Sequence, residues 1–432
     1  MEKTKIAIVG LGTVGTGVAQ LLLEHAERTT RQAGQTIELE KVVVRDCGKA
    51  RDIQLPQGVL TDQLSEVTEN SEIRCVVQLI GGLEPARSIM LRLLESGKDV
   101  VTANKALLAE HGAELFDRAR ELGRSIAFDA AVAGGIPIVT NIGQCLSANR
   151  IESIHGILNG TCNFIISQME EQGVSYEEAV AEAQRRGYAE ADPTMDVNGS
   201  DAAQKLALLA HLAFGSRVHW KEIPCQGIES LRRIDLQYAQ ELGYRLKLLA
   251  VARVEDGELE LHVGTQLVKR DSPMADVGGA YNAIRLVGDA VGRVWFQGMG
   301  AGRMPTASAV VADLIDMVVG RTAITFRTLQ LWSEKPARVL PRPSFTTSTR
   351  YYLRFTVKDH PGVLAEITGA LSNEGISIAS FIQHEQHELV DDRVPLVIMT
   401  HQTTVGAADR AIEKINQLEM VHEPAVRMRI LD

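Results

Sequence analysis

Hydrophobic and polar positions in the first third of the chain fall into two alternating patterns. A short apolar run, KIAIVG at 5–10, precedes a segment with helical periodicity, VAQLLLEHAERT. The same order recurs where IRCVVQLIGG precedes PARSIMLRLLESG, and again where KDVVTAN precedes KALLAEHGAELFDRARELG. Strands that alternate with amphipathic helices predict an α/β fold with a doubly wound parallel sheet.

A glycine-rich turn, GLGTVG, lies between the first strand and the first helix. Glycines at this place let backbone N–H groups and the helix N-terminus approach a pyrophosphate, which is typical of a Rossmann-type dinucleotide-binding domain. A glycine-rich turn without a ligand is the alternative. The residues that we assign to the cofactor in this turn are Gly10, Gly12, Thr13, Val14 and Gly15.

The end of the second strand, near IELEKVVV, bears on the choice of cofactor. Arg45 and Asp46 follow this strand, and Lys49 and Arg51 come shortly after them. Cations suit the 2′-phosphate of NADP, whereas a carboxylate suits the ribose hydroxyls of NAD. We therefore favour NADP, with Arg45 as a cofactor residue. Asp46 keeps NAD open, and a solvated loop is the alternative explanation of the cations.

Two further strand ends carry residues that we assign to the cofactor crevice. Ligands of doubly wound sheets lie beyond the carboxyl ends of the strands, and Gly81, Gly82 and Lys105 occur at such ends. A lysine that opens a helix is unfavourable for the helix macrodipole, whose N-terminal end is positive. Lys105 is therefore predicted to be functional rather than an ordinary surface lysine.

The alternation of strands and helices weakens after AVAGGIPIV, which indicates a second domain. We predict a dinucleotide-binding domain at 1–130, to which a helix at about 304–320 returns. A substrate-binding domain is predicted at 131–303, with a hairpin of two alternating strands joined at Asp256-Gly257.

The last part of the chain has a different pattern. Residues 326–350 contain three prolines, several Ser and Thr residues and little periodicity, which indicates a linker. Residues 351–432 then follow the order βαββαβ, which predicts a ferredoxin-like domain.

Composition limits the classes of partner that we expect. The formal net charge is −10 and no run of Lys or Arg marks a face for nucleic acid or an anionic membrane, so we expect a small-molecule partner.

The five cysteines are widely spread and form no CxxC pair, which favours a reducing cytoplasm over a disulfide frame or a zinc site. The start, MEKTKIAIVG, goes directly into a strand, so we expect neither a secretory leader nor a membrane anchor.

The stretch GYAEADPTMDVNGSDAAQK concentrates acidic residues in front of an apolar helix. Glu190, Asp192 and Asp196 lie in a loop, and Asp201 precedes Lys205 by one helical turn. An ion pair at i and i+4 would explain only the start of the helix. Repulsion among the loop acids is a cost unless a cation or a ligand offsets it, so we predict a site for a cationic group.

These residues match a known family. The acidic stretch resembles the homoserine dehydrogenase family, as do GLGTVG, SGKDVVTANKALLAEHG, AVAGGIPI, ILNGTCNFI and MPTASAVVADL, over residues 1 to about 325. Residues 351–432, with DHPGVLAEI and NEGISI, resemble the ACT regulatory domain. The resemblance implies NAD(P)-linked interconversion of L-aspartate 4-semialdehyde and L-homoserine, on the route to threonine and methionine.

The resemblance also implies roles for single residues. Lys205 and Lys105 match the family's catalytic lysines, so protonated Lys205 would give its proton to the substrate carbonyl and Lys105 would assist from the opposite side. Glu190 matches the carboxylate that holds the substrate ammonium. The other positions that match the family's substrate pocket are Asp201, Tyr188, Thr161, Asp196 and Gly160.

A sodium ion is a further implication of the resemblance. In the family this ion lies near AVAGGIPI and is held largely by main-chain carbonyls, which here would come from Val132, Gly134 and Ile136. Asp129 stands where some relatives have Glu, and Gln78 stands where Glu is expected in VVxLIGG.

The ACT resemblance implies an amino-acid effector, for which threonine is our expectation, and a homodimer or homotetramer. In ACT domains the effector usually lies by the first β-to-α turn and a neighbouring turn, often at a dimer interface. The effector residues expected here are Asp359, Gly362, Val363, Leu364, Asn373 and Ile376.

Two other functions compete with this hypothesis. Another NAD(P)-dependent amino-acid semialdehyde dehydrogenase would need a cysteine nucleophile, for which Cys162 is the candidate. A non-catalytic sensor of NADP and an amino acid would need neither lysine, so the presence of Lys105 and Lys205 argues against it.

Overall fold

The computed structural model describes residues 2–332, 339–384 and 393–431. Its strands, in chain order, are β1 (Lys3–Val9), β2 (Thr36–Val43), β3 (Leu60–Thr61), β4 (Ile73–Gln78), β5 (Asp99–Thr102), β6 (Ile126–Ala127), β7 (Ile151–Ile157), β8 (Tyr244–Glu255), β9 (Glu258–Lys269), β10 (Tyr281–Gly288), β11 (Gly292–Met299), β12 (Leu340–Pro341), β13 (Ser348–Lys358), β14 (Ile378–Ile382), β15 (Arg393–Thr400), β16 (Thr403–Thr404) and β17 (Val421–Leu431).

The helices, in chain order, are α1 (Thr13–Glu24), α2 (Ala26–Ala33), α3 (Ser65–Thr68), α4 (Ala86–Glu95), α5 (Lys105–Glu121), α6 (Ile138–Thr140), α7 (Gly160–Gln172), α8 (Tyr176–Arg185), α9 (Thr194–Val197), α10 (Ser200–Phe214), α11 (Arg233–Glu241), α12 (Arg303–Val318), α13 (Arg321–Leu329), α14 (Val363–Asn373) and α15 (Val405–Asn416). Within the described ranges, none of these helices combines the length and the apolar character that crossing a bilayer requires.

The chain forms two compact units and passes between them at several places, one of which lies within α10. The first unit comprises Met1–Ile154, Ala203–Glu222 and Asn282–Val339. The second comprises His155–Ala202, Ile223–Tyr281 and Leu340–Asp432.

A parallel sheet of six strands forms the centre of the first unit. Its strand order is β3-β2-β1-β4-β5-β6, and every pairing is parallel. Ile6, Ala7 and Ile8 in the central strand are fully buried, because helices cover both faces of such a sheet. The doubly wound α/β fold expected from the alternating pattern is confirmed.

Helix α12 returns to the core of the parallel sheet. Ala307, Val310 and Leu314 on this helix lie in one hydrophobic cluster with Ile8 of β1 and Val18 of α1. The approach is close, since a Cβ atom on Gly17 of α1 would lie 2.9 Å from the carbonyl oxygen of Arg303. The helix therefore occupies the place expected for the returning segment at about 304–320.

The second unit is built on a mixed sheet with the strand order β7-β8-β9-β17-β13-β15-β14. The hairpin predicted at Asp256-Gly257 is present, and both residues have positive φ angles, 52° and 83°. Positive φ at both central positions is the geometry of a type I′ turn, whose twist matches that of the flanking strands.

The C-terminal part of the second unit has the predicted βαββαβ order, with β13, α14, β14, β15, α15 and β17. Its last strand, β17, also pairs in parallel with β9, from Arg429 opposite Gln266 to Leu431 opposite Val268. The predicted linker at 326–350 begins inside α13 and ends inside β13, and its residues 333–338 lie outside the described part of the chain.

A buried ion pair joins α11 to β13 within the second unit. Both oxygen atoms of the Asp235 carboxylate accept from the Arg354 guanidinium, at 2.6 and 3.1 Å, and the Tyr352 hydroxyl donates to the same carboxylate at 3.0 Å. Asp235 is 0% exposed and Arg354 is 3% exposed. Both charges are therefore satisfied only by each other and by their hydrogen-bonding neighbours.

A pair of buried acids lies in the first unit. The carboxylate of Asp313 accepts from the backbone N–H of Asp129 at 2.8 Å, and Asp129 is itself 4% exposed. Burial raises the pKa of Asp129 to about 6, and burial together with the nearby Asp129 carboxylate raises the pKa of Asp313 well above its usual value. At pH values between the unfolded-state and the folded-state pKa values, the folded protein therefore keeps protons on these carboxyl groups that the unfolded chain would release.

We expect Asp235→Ala to lower the free energy of unfolding by about 3–5 kcal/mol, because it leaves the Arg354 guanidinium buried without a counter-charge. The measurement is chemical denaturation followed by circular dichroism. The matched control is Arg232→Gln, since Arg232 forms a half-exposed ion pair with Glu423 that contributes less than about 1 kcal/mol. Equal losses in the two variants would show that the buried pair has no special weight.

Asp313→Asn is expected to raise the melting temperature at pH 8 and to change it little near pH 4. The folded-state pKa of Asp313 is raised, so wild-type stability falls as the pH rises from the unfolded-state pKa, about 4, through the folded value. Asparagine keeps an acceptor for the Asp129 N–H without the charge. Melting curves across this pH range test the idea, with Asp289→Asn, which removes a more exposed ion pair to Arg150, as control. A lower melting temperature for Asp313→Asn at pH 8 would refute it.

Candidate active site

The glycine turn between β1 and α1 has three glycines in three different roles. Gly10 has a φ of 103°, which favours glycine, and a Cβ atom on Gly15 would lie 2.1 Å from the Gly10 carbonyl oxygen. Gly12 precedes the first residue of α1, and a Cβ atom on it would have no atom within 4 Å. The turn is therefore tight at Gly10, closely packed at Gly15 and open at Gly12, which fits a pyrophosphate at the N-terminus of α1.

The loop after β2 separates the predicted cations. Arg51 donates to the carbonyl oxygen of Lys49 at 2.6 Å and also to that of Asp46, so it holds the loop's own backbone. The Asp46 carboxylate accepts from the Gly48 N–H at 2.8 Å. Arg45 is exposed at the end of the strand. The Arg51 guanidinium is therefore engaged by its own loop, whereas Arg45 and Lys49 are exposed.

Asn104 organises the neighbouring strand ends, a role that its sequence context did not indicate. Its side-chain oxygen caps α5 by accepting from the Leu107 N–H at 3.0 Å, and its amide donates to the carbonyl oxygens of Ile80 and Gly82 at 2.9 and 2.7 Å. Asn104 therefore fixes the Gly81-Gly82 turn directly beside Lys105.

Gln78 has a structural reason to be Gln rather than the expected Glu. It is 0% exposed, its amide donates to the Ala86 carbonyl oxygen at 3.3 Å, and its oxygen accepts from the Thr102 hydroxyl at 3.1 Å. A carboxylate could not donate to Ala86 and would bury a charge without a cation. The sequence carries a signal for this, because a polar residue after the apolar run Cys75–Val77 of a central strand needs a buried partner.

Helices α5 and α10 carry the two candidate lysines and lie close together in the first unit. They line one cavity of about 280 Å³, and the Trp332 ring contacts both of them. This ring stacks on His211 with centroids 4.3 Å apart, and a Cβ atom on Gly112 would lie 2.9 Å from it. Lys105 is the first residue of α5, while Lys205 lies on α10 and is only 8% exposed.

Two of the predicted acids are brought together by one side chain. The amide nitrogen of Asn159 donates to Asp196 at 2.7 Å and to Asp201 at 2.8 Å, while its oxygen accepts from the Cys162 N–H at 2.7 Å. Asn159 was not among the predicted site residues. It belongs to the NGT turn before α7, where an asparagine side chain commonly caps the helix.

The other residues of the acidic loop, the segment that carries Glu190, Asp192 and Asp196, have different contacts. The Asp192 carboxylate accepts from the N–H and the hydroxyl of Thr194, so it caps α9. Glu190 is exposed, as expected for a residue that meets a substrate ammonium. Tyr188 is held nearby, because its carbonyl oxygen accepts from the Thr161 hydroxyl at 2.7 Å.

Cys162 lacks the surroundings of a nucleophile. It is fully buried beside Gly160 and Thr161 at the start of α7, and its thiol donates to the carbonyl oxygen of Asp196 at 3.1 Å. Reactive cysteines are partly exposed. The thiol therefore serves the structure of the acidic loop.

The proposed sodium residues lie in a tight turn of the first unit. Gly134 has a φ of 52°, and a Cβ atom there would lie 2.4 Å from the Gly300 carbonyl oxygen. The carbonyl oxygen of Ile136 accepts from the Ile138 N–H at 2.8 Å. In the described ranges, no group of three or more His, Cys, Asp or Glu side chains could hold a metal ion. Any ion here would depend on carbonyl oxygens such as those of Val132 and Gly134.

Asp129, the side-chain candidate of the sodium set, is held by the short helix α6. One carboxylate oxygen accepts from the Val139 N–H at 2.8 Å, and the other accepts from the Thr140 hydroxyl at 3.1 Å. The first contact satisfies a backbone N–H at the start of α6.

The expected effector turns surround the start and the end of α14. Gly362 has a φ of 100° and precedes the first residue of that helix, and Leu364 is 41% exposed. Val363 and Ile376 are only 6% and 5% exposed and belong to the core of this domain. Asp359 and Asn373 are exposed. The exposed positions have side chains that can reach a ligand, whereas Val363 and Ile376 hold the turns in place.

Family models match most of the chain. The model described as homoserine dehydrogenase matches residues 137–315, and the model described as the NAD-binding domain of homoserine dehydrogenase matches 10–129. An ACT domain matches 351–419. These assignments agree with the nucleotide turn, the acidic loop and the βαββαβ region.

Individual proteins and solved structures are also similar to this chain, two of them over its whole length. A homoserine dehydrogenase from Pseudomonas aeruginosa is 44% identical over 100% of this chain and 99% of its own length. The crystal structure of a homoserine dehydrogenase from Thiobacillus denitrificans has a TM-score of 0.91 at 42% identity, over 100% of this chain and 99% of that one. A hyperthermophilic archaeal homoserine dehydrogenase mutant in complex with NADPH has a TM-score of 0.60 at 26% identity, over 73% of this chain and 97% of that one. The chain therefore belongs to the homoserine dehydrogenase family of oxidoreductases and carries a C-terminal ACT domain.

Proposed function

We propose that this chain uses NADPH to reduce L-aspartate 4-semialdehyde to L-homoserine, with Lys205 as the proton donor. The observation that carries the proposal is the Asn159 bridge. It fixes Asp196 and the Asp201 carboxylate at the start of α10, the helix on which Lys205 is buried. Lysines are rarely buried unless they are paired or functional, which favours a role for Lys205 in proton transfer.

NADPH would supply a hydride to the aldehyde carbon when bound. The glycine turn at Gly10, Gly12 and Gly15 provides the geometry for its pyrophosphate, and Arg45 provides an exposed cation at the end of β2 for the 2′-phosphate. The relative solved with NADPH supports the same choice. NAD remains the alternative cofactor.

Lys205 would hold the proton that the carbonyl oxygen takes up as the hydride arrives, because an alkoxide would otherwise form. Lys105 would assist from the other side of the substrate, beside the turn that Asn104 fixes. Glu190 would bind the substrate ammonium, and Asp201 would orient the substrate.

Regulation through the ACT domain is the second part of the proposal. The exposed turn residues Asp359, Gly362, Leu364 and Asn373 would meet an amino-acid effector, for which threonine is our candidate. We further propose a cytoplasmic homodimer or homotetramer that acts in threonine and methionine synthesis. A sodium ion held by backbone carbonyls near Gly134 completes the proposed set of ligands.

Lys205→Ala is expected to lower turnover by on the order of 10²- to 10⁴-fold, because general acid catalysis is lost. Affinity for NADPH should be retained. Turnover follows from the absorbance of the reduced nicotinamide and affinity from its fluorescence, with Lys221→Ala, at an exposed lysine of the first unit, as control. Turnover near wild type in Lys205→Ala would remove this lysine from the mechanism.

Arg45→Glu is expected to reverse or abolish a preference for NADPH over NADH, because the new carboxylate repels the 2′-phosphate and suits a free ribose. The measurement is kcat/KM with each cofactor. Lys3→Glu is the matched control, since it makes the same change of charge at the opposite end of β1 from the cofactor turn. A preference that is unchanged in Arg45→Glu would show that other residues select the cofactor.

A further inference from the structure

The edge of β9 that faces away from β8 pairs with two separate segments of the chain and has a gap between them. Cys225 forms a parallel bridge with Val263, and β17 begins to pair only at Gln266. Gly264 and Thr265 lie between these two partners. A cavity of about 130 Å³ opens at this gap in the sheet, wholly within the second unit. Its volume exceeds the roughly 10–15 Å³ that a single water requires, so it has room for a small molecule.

The walls of this cavity carry hydrogen-bond donors. Tyr351 is 1% exposed, and its hydroxyl has no hydrogen-bond partner in the described protein. The Arg427 guanidinium lies 5.3 Å from the centre of the Tyr351 ring, and Arg429 is a second lining residue. A buried hydroxyl without a partner is costly, so its presence in the wall of a cavity indicates that something in the cavity accepts from it.

The two arginines keep donors for a ligand. Arg427 pairs with the Asp409 carboxylate, and Arg429 donates to Glu260 at 2.6 Å. Each guanidinium has five N–H donors, so one carboxylate partner does not exhaust either of them. Burial lowers the pKa of the neighbouring His262 to about 4, so its imidazole is neutral near pH 7. The donors that define the cavity are therefore two guanidinium groups and one phenol.

We propose that this cavity binds a small oxyanion, a carboxylate or a phosphate, whose oxygen atoms accept from Tyr351, Arg427 and Arg429. Planar or tetrahedral oxyanions match the fork of donors that arginine presents. The site is distinct from the turns around α14, since its walls come from β9, β13, β17 and the segment before α11.

The cavity wall also touches the acidic loop. The Cys225 thiol donates to the Asn198 carbonyl oxygen at 3.2 Å, and a Cβ atom on Gly199 would lie 2.7 Å from its sulfur. The Ile228 N–H donates to the Val197 carbonyl oxygen at 2.8 Å. Because Cys225 is in direct contact with Asn198 and Gly199, an anion bound beside Cys225 would shift the segment that leads into α10. This part of the inference rests on the proposed function.

Isothermal titration of the full chain with sodium phosphate, and separately with sodium acetate, tests the site at constant ionic strength. We expect saturable binding of at least one anion, and the anion that binds identifies the class of ligand. Tyr351→Phe should weaken that binding about tenfold, the effect of losing one hydrogen bond to a charged group. Arg393→Gln, at an exposed arginine that begins β15, should bind as wild type does.

Folding does not confound this test. Removal of a hydroxyl that has no partner in the free protein should leave the melting temperature of Tyr351→Phe unchanged or higher. Absence of binding of both anions to the wild type, or equal binding to wild type and Tyr351→Phe, would overturn the proposal.

The effect of the bound anion on the acidic loop is tested separately, by the KM for the substrate. An anion concentration equal to the wild-type Kd should change the KM for L-homoserine in the wild type and change it much less in Tyr351→Phe at the same concentration. An unchanged KM in both proteins would refute the link. If no turnover is found under any condition, the proposed function fails while the binding isotherms still decide the site.

Discussion

One amide group constrains the acidic loop on which the catalytic proposal depends. Two carboxylates that both accept from Asn159 cannot move apart without losing a hydrogen bond in a buried setting, where such a loss is costly. The same side chain caps α7 through its oxygen, so the position of the carboxylates is tied to that of a helix. This constraint converts a run of acids, which repel one another in an extended chain, into a fixed arrangement at the start of α10.

The parts of the structure that could be predicted are those encoded locally. Apolar periodicity indicated the parallel sheet, because each strand and helix shows its own buried face in a short window. The glycine turn and the Asp256-Gly257 hairpin were also predictable, since positive φ angles require such residues in place. The family resemblance added the proposed catalytic role of the two lysines, which no periodicity identifies.

The other features depend on contacts between residues far apart in the chain. Asp192 and Asp196 look alike in sequence, yet one caps a helix and the other shares the Asn159 amide. Asp129 accepts from the Val139 N–H of α6, ten residues further along the chain. The buried pair of Asp235 and Arg354 joins positions more than a hundred residues apart. The Asp192–Thr194 contact is local, but the other partnerships leave no local pattern, because the partner is set by the tertiary fold.

The pairing of β17 with β9 also has a consequence for biosynthesis. The ribosome completes β9 long before β17, so one edge of β9 is left without its backbone partners while the remaining chain is made. Exposed strand edges are templates for association with other chains. In the interval between the synthesis of these two strands, this edge of β9 is therefore open to pairing with other chains.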